Sequence, residues 1–399
     1  MSVSNPDRLK AEIDELVPGM VAMRRDLHEH PELAFEEVRT SGIVADRLRA
    51  LGLEVQTGIA KTGVVGLLRG EGSREGSKTI AIRADMDALP IHEQNEIDYR
   101  SRTDGKMHAC GHDGHTSILL TVADILSKRR AELSGNVKFI FQPAEERVGG
   151  AEPMVKEGAM QGVDGVIGLH LISTYPLGRV GVRAGTVFAS ADAMTWHVHG
   201  KGGHAASPHE AVDPIVIAAH IITALQTLIS RETSPFAPAI VTVGQVIAGS
   251  AFNIIPEEVV MHGTMRAFSK EHREKMLRRI RELSSGIASA MGGSCEVELH
   301  NGCPPCINDP AMTELVRAAA IEAVGEQGVD DSEEVMTTGS DDMAHFLNAA
   351  PGCYFIVGAH NEQKGAAYPH HHPRFNIDED AMTIGVEVLT RAALRFLES

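Results

Sequence analysis

The residues best suited to chemistry form a run of eight, His108-Ala109-Cys110-Gly111-His112-Asp113-Gly114-His115. A thiolate and an imidazole two positions apart, with a glycine between them that lets the backbone come close, can converge on neighbouring metal ions. Three histidines and an aspartate in the same run favour that over a buried free thiol among capping residues. A second cluster, Phe141-Gln142-Pro143-Ala144-Glu145-Glu146, places two carboxylates just after a proline that ends an extended run. Adjacent side chains do not share a face, so the two acids take different jobs. One can ligate a cation while its neighbour takes a proton from water that the cation acidifies to a pKa of about 7. Taken alone, a solvated acidic turn explains this pair equally well. Gly168-Leu169-His170 ends another apolar run, and Pro369-His370-His371-His372-Pro373 precedes the last helix. Of three consecutive histidines, at most one or two can point inward.

Further candidates are weaker. Gly200-Lys201-Gly202-Gly203-His204 is glycine-rich, but it lacks the G-x-G-x-x-G spacing, and no G-K-[ST] loop occurs, so nucleotide binding is rejected. Asn253 and Arg266 flank one extended run, and an arginine there can hold a carboxylate bidentately, although a plain surface arginine is the simpler account. The absence of HExxH and GxSxG removes single-zinc zincins and serine α/β-hydrolases. Cys303-Pro304-Pro305-Cys306 is a lone CxxC and reads as structural.

The elements that must position these groups come in two rhythms. Helical spacing over Asn5–His28 and Glu36–Leu51 is followed by short apolar runs at Gly63–Leu68, Thr79–Ala84, Val137–Phe141 and Val163–Leu169, with a helix over His115–Arg130. This β/α alternation implies a mainly parallel sheet that presents its site at the carboxyl ends of its strands. From about residue 187 the order becomes β-α-β-β-α-β: Asp192–His199, Pro214–Ser230, Ala239–Val246, Glu258–Arg266, Lys270–Met291 and Cys295–His300. That pattern fits an inserted ferredoxin-like domain of roughly 110 residues. The α/β pattern then resumes with Ala311–Val324, Tyr354–Val357 and Glu379–Leu397. The expected organisation is α/β, with a discontinuous catalytic domain of residues 1–186 and 301–399 and a lid over 187–300.

Composition narrows the function. Of 399 residues, 43% are hydrophobic and 23% charged, which is ordinary for a globular chain. With 37 basic and 54 acidic residues the net charge is −17 and no Lys/Arg-rich run occurs, which disfavours nucleic acid and acidic membranes. The first residues lack an apolar signal region, and Ile215–Ile229 is interrupted by His220 and Gln226, so no membrane span is expected and the cytoplasm is the default. Five cysteines are too few for a disulfide scaffold, whereas twenty histidines suit metal chemistry.

Together these motifs resemble the metal-dependent amidohydrolase family that contains hippurate hydrolase, N-acyl-amino-acid amidohydrolases and plant auxin-conjugate hydrolases. The resemblance runs nearly end to end: Arg25-Asp26-Leu27-His28, Arg83-Ala84-Asp85-Met86-Asp87-Ala88-Leu89-Pro90, the Cys110 to His115 block, Gln142 to Glu146, Gly168-Leu169-His170, Gly202-Gly203-His204-Ala205, Asn253-Ile254-Ile255-Pro256 and His371-His372-Pro373. It implies that Cys110, His112, Glu146, His170 and His371 hold two divalent metal ions, drawn from Zn, Mn, Co and Ni; two ions about 3.5–4 Å apart need a shared ligand or a bridging water, and Cys110 is the expected protein bridge. It also implies that Glu145 is the general base and that His204 is a lid histidine reaching the substrate carbonyl, often across a dimer interface. Asn253 and Arg266 become substrate anchors, and Asp85, Asp87 and Asp113 orient ligands from behind. The implied partner is a small N-acyl amino acid, cleaved by a homodimer or higher homo-oligomer assembled through the lid. A dipeptidase, carboxypeptidase or N-acetyl-diaminopimelate deacetylase is the enzymatic alternative. A binding protein without catalysis is the remote one, because binding needs no base beside the ligand Glu146.

Overall fold

The computed structural model describes residues 6–147 and 149–399; Asn5, the expected start of the first helix, lies outside them. The chain divides into two compact units, one of Met1–Val187, Ile307–Met336 and Asp342–Ser399, the other of Phe188–Cys306 and Thr337–Asp341.

The first unit is built on an eight-stranded sheet: β1 (Glu54–Ile59), β2 (Gly63–Arg69), β3 (Thr79–Asp85), β4 (Asn136–Gln142), β5 (Gly165–Pro176), β6 (Val180–Gly181), β7 (Val329–Asp330) and β8 (Gly352–His360), in the order β1-β2-β4-β3-β5-β8-β6-β7. Its centre, β4-β3-β5-β8, is parallel. The β1-β2-β4 edge is antiparallel. β3 is buried throughout and β8 up to its last residue, as strands covered on both faces should be. Ile82, Phe139, Ile167 and Phe355 share one core with Leu119, Val122 and Leu389 from the helices.

Two local expectations are corrected. His170 does not end its strand: β5 runs on to Pro176, because Leu171 and Ile172 keep pairing with Val357 and Gly358 of β8. His170 therefore stands buried in mid-strand. The helix after the Cys110 block also begins earlier than expected, at His112 (α1, His112–Lys128). Gly111 makes this possible. It sits at φ 89, a left-handed turn that costs an L residue roughly 1–2 kcal/mol, and its carbonyl accepts the His115 N–H at 2.9 Å.

The second unit carries a four-stranded antiparallel sheet in the order Ala239–Ala248, Glu258–Ala267, Ala191–His199, Ser294–Cys303. Two helices cover one face. Pro214–Thr227 is capped by Asp213 and Lys270–Ala290 by Ser269. This is the β-α-β-β-α-β order of a ferredoxin-like unit. Its core centres on Trp196, which is fully buried and donates from Nε1 to Ser284 Oγ at 3.1 Å. Pro214–Glu232 is long and apolar enough for a membrane span by composition, yet Ile217, Ile221 and Leu225 pack into that core. Thr337–Asp341 returns to this unit, where the Ala189 N–H donates to Gly339 O at 2.9 Å. The Cys303 and Cys306 thiols both reach Asp341 O, at 3.2 and 3.1 Å, and all five cysteines are free.

Candidate metal centre

Sheet topology gathers the histidines and acids of the first unit at one place. β3 ends in Asp85 and is followed by Asp87, β4 ends before Glu145 and Glu146, β5 supplies His170, and α1 begins with His112. Pro143 stops the β4 ladder, and Ala144 takes φ 54 to turn the chain. Asp87 then clamps the turn, accepting the Glu145 N–H at 3.0 Å and the Glu146 N–H at 3.1 Å on its two oxygens.

Among the described residues, two sets of potential ligand atoms contain Cys110, each with its atoms within 4.8 Å of one another: Cys110 with His112 and His170, and Cys110 with Glu146 and His371; Glu145 joins a further set with His112 and Glu146. Cys110 belongs to both. Its Sγ lies 3.6 Å from His170 Nε2. His371 Nε2 lies 3.3 Å from Glu146 Oε2. His112 Nε2 faces both acids, 3.9 Å from Glu145 Oε2 and 4.0 Å from Glu146 Oε1.

Hydrogen bonds settle which ring nitrogens are available. His112 Nδ1 donates to Asp87 O at 2.8 Å, and His170 Nδ1 donates to Leu171 O at 3.0 Å, so in each neutral ring Nε2 carries the lone pair. His115 differs. Its Nε2 accepts from the Leu171 N–H at 2.9 Å and its Nδ1 meets Asp85 Oδ1 at 2.6 Å, which makes it a positioning residue.

These residues fit divalent cations. His112 Nε2 and Glu146 Oε1 are buried without a hydrogen-bond partner, although buried polar atoms are almost always paired. Two acceptors cannot bond each other, and a cation satisfies both. Burial pushes the Cys110 thiol well up, with Glu146 adding to the shift, and a bound cation reverses that by deprotonating a coordinating thiol. Burial works against a charge on His112, but the Asp85 carboxylate outweighs it and holds the imidazole well above its ordinary value, so a proton is welcome where a cation fits. His170 is pushed well down by burial and then by His115, and is a neutral donor.

Behind the centre lies a buried ionic layer. Arg83 bonds Asp85 at 2.5 Å and Asp342 at 3.2 Å. Asp113 accepts from Arg24 at 2.9 Å and from His28 at 2.8 Å. Burial would raise the Asp113 carboxyl, but Arg24 and His28 hold it well below the usual carboxylate range. Asp113→Ala is expected to cost about 3 kcal/mol in urea unfolding, because it removes the closest charged partner of the buried Arg24 guanidinium.

The triple histidine separates by role. His371 adopts φ 64, donates its N–H to Ala109 O at 2.8 Å and faces Glu146, while His372 stacks on Tyr368 at an interplanar angle of 11°. Sequence reasoning missed His370. Its Nε2 accepts from the Ser173 N–H at 3.4 Å, which leaves Nδ1 to donate toward Cys110 Sγ at 3.5 Å. Nothing in three adjacent histidines announces which one turns inward.

His204, Asn253 and Arg266 belong to the second unit. Gly203–His204 pairs with Ile254–Ile255, and the Ala205 N–H donates to Asn253 O at 3.1 Å, so His204 and Asn253 are neighbours. Arg266 is not brought to them. It lies near the far end of Glu258–Ala267, bonded to Thr264 Oγ1 and to Met265 O.

Residues 81–395 match the family model described as peptidase family M20/M25/M40. Thermostable carboxypeptidase 1 of Saccharolobus solfataricus is 40% identical over 396 residues, covering 98% of each chain. N-acetylcysteine deacetylase of Bacillus subtilis is 38% identical over 381 residues, covering 95% of this chain and 97% of its own. A Bacillus subtilis protein described as a dinuclear metal binding peptidase superposes with a TM-score of 0.83 at 35% identity, covering 97% of this chain and 99% of that one. Family match, fold and a cluster of acids and histidines suited to cations agree: the chain belongs to peptidase family M20/M25/M40, as a metal-dependent hydrolase of amide bonds.

Proposed function

We propose that this protein hydrolyses the amide of N-acyl amino acids, hippurate-like compounds, to a carboxylic acid and a free amino acid. Two divalent cations would be held by Cys110, His112, Glu146, His170 and His371, with Cys110 shared. The observation that carries the proposal is the membership of Cys110 in both sets of ligand atoms, with the Glu145 carboxylate beside them. When bound, the cations supply Lewis-acid polarisation of the amide carbonyl and acidify water. Glu145, fixed by Asp87, accepts the proton of the attacking water and returns it to the departing nitrogen. His204 accepts the Ala206 N–H on Nδ1 at 3.0 Å, which leaves Nε2–H as a donor for the developing oxyanion.

Arg266 and Asn253 would anchor the substrate. His204 and Arg266 stand at opposite ends of a ten-residue strand, about 30 Å long at about 3.3 Å per residue, so one inserted unit cannot bring both to one small substrate. This favours a homodimer in which one of them comes from a second copy. The outer strand Ala239–Ala248 leaves Ile240, Val246 and Ile247 exposed, as a pairing edge would. With five free cysteines, a reducing cytoplasm is the compartment proposed.

Benzoylglycine hydrolysis tests the proposal. Activity should vanish with a chelator and return with Zn, Mn, Co or Ni; inactivity of the metal-loaded protein across an N-acyl amino acid panel would overturn it. Carboxypeptidase action is the second reading, favoured by the 40% identity to a thermostable carboxypeptidase. Faster cleavage of C-terminal residues from peptides than of benzoylglycine would select it.

A further inference from the structure

The open face of the inserted sheet carries a feature that the amide chemistry does not use. Met194, Trp196 and Val198 point into the core beneath the helices, so by strand alternation His197 and His199 share the opposite face. Glu258 is paired directly across from His199. One oxygen, Glu258 Oε1, lies 3.1 Å from His197 Nδ1 and 3.8 Å from His199 Nδ1. The three side chains are 42%, 34% and 45% exposed in that order, so a cation can reach them and their rotamers can adjust. The pattern continues along the face, with Glu298 at 4.0 Å from His197 Nε2 and 3.6 Å from His300 Nδ1.

We propose that His197, His199 and Glu258 form a further, exchangeable site for a borderline transition-metal cation such as Zn²⁺, Ni²⁺ or Cu²⁺. Two imidazoles and a carboxylate match the ligand preference of these ions. Tetrahedral zinc, with bonds of about 2.0–2.1 Å, spaces its ligand atoms about 3.4 Å apart, and the observed 3.1 and 3.8 Å bracket that spacing. The two imidazoles stand farther from each other than from Glu258, because the three ligand atoms do not all lie within 4.8 Å of one another, so both rings must turn toward the carboxylate on binding. The two rings lie nearly parallel, at 14° with centroids 6.4 Å apart, and both are exposed enough for their χ angles to turn. A fourth position stays open to water, which suits a loading or buffering site better than a structural one.

Zinc titration of the full-length protein, read by equilibrium dialysis and elemental analysis, tests this directly. The wild type should bind one more weakly held equivalent than the His197→Ala/His199→Ala variant, with both hydrolysing substrate equally once their tightly held metal is in place. Glu258→Gln should keep that equivalent with roughly tenfold weaker affinity, as loss of one supporting group does. With Cu²⁺, the extra equivalent should show nitrogen hyperfine coupling that the double variant lacks. Equal stoichiometry in wild type and double variant would overturn the proposal, because the weak zinc would then sit on other surface imidazoles. Unchanged circular dichroism would confirm that the variant remains folded.

Discussion

Glu145→Gln is expected to keep its metal and lose about 10²- to 10⁴-fold in turnover. The substitution preserves shape and the backbone N–H held by Asp87, yet removes the only function assigned to that carboxylate, carrying a proton from water to the leaving nitrogen. Steady-state kinetics beside metal analysis checks both halves. An unchanged KM with a collapsed kcat is the expected signature, since the base acts in the transition state. Loss of metal in the variant would move Glu145 into the ligand set and leave the base unassigned.

Cys110→Ala should do the reverse and strip metal first. Because Cys110 belongs to both sets of ligand atoms, its loss is expected to weaken both cations, by more than about 100-fold in affinity, as deletion of a direct ligand should exceed deletion of an outer partner. His371→Ala belongs to one set and should release one equivalent while the other stays. Dialysis against a competing chelator followed by elemental analysis separates the two patterns. Equal loss in both variants would argue against a shared thiolate.

What the sequence made legible follows physical lines. The central strands are continuous apolar runs because they are buried on both faces, so β2, β3 and β4 were located within a residue or two. β1 reads EVQTGI, largely exposed, and β6 and β7 are two residues each, so none offers a period to detect. The end of β5 was hidden because pairing with β8, a long-range contact, extends it beyond its apolar start. The helix start at His112 depended on the backbone angle of Gly111, which composition does not encode.

The site was partly legible for a related reason. Candidate ligand types show in short motifs, and local spacing with a strand end suffices to single out Cys110, His112 and Glu146 as expected ligands. Asp87 and His115 were present in those motifs, but their work depends on tertiary partners: Asp87 clamps two backbone N–H groups from another strand's end, and His115 spans Leu171 and Asp85. Arg83 meets Asp342 across 259 positions of sequence, beyond any local pattern.

The most direct measurement is anomalous scattering from crystals grown with Zn²⁺ or Mn²⁺, recorded at the absorption edge of the ion. Two peaks about 3.5–4 Å apart are expected, one beside His112 and His170, the other beside Glu146 and His371, with Cys110 Sγ between them and Glu145 bound to neither. A single peak, or a pair to which Cys110 contributes nothing, would contradict the account.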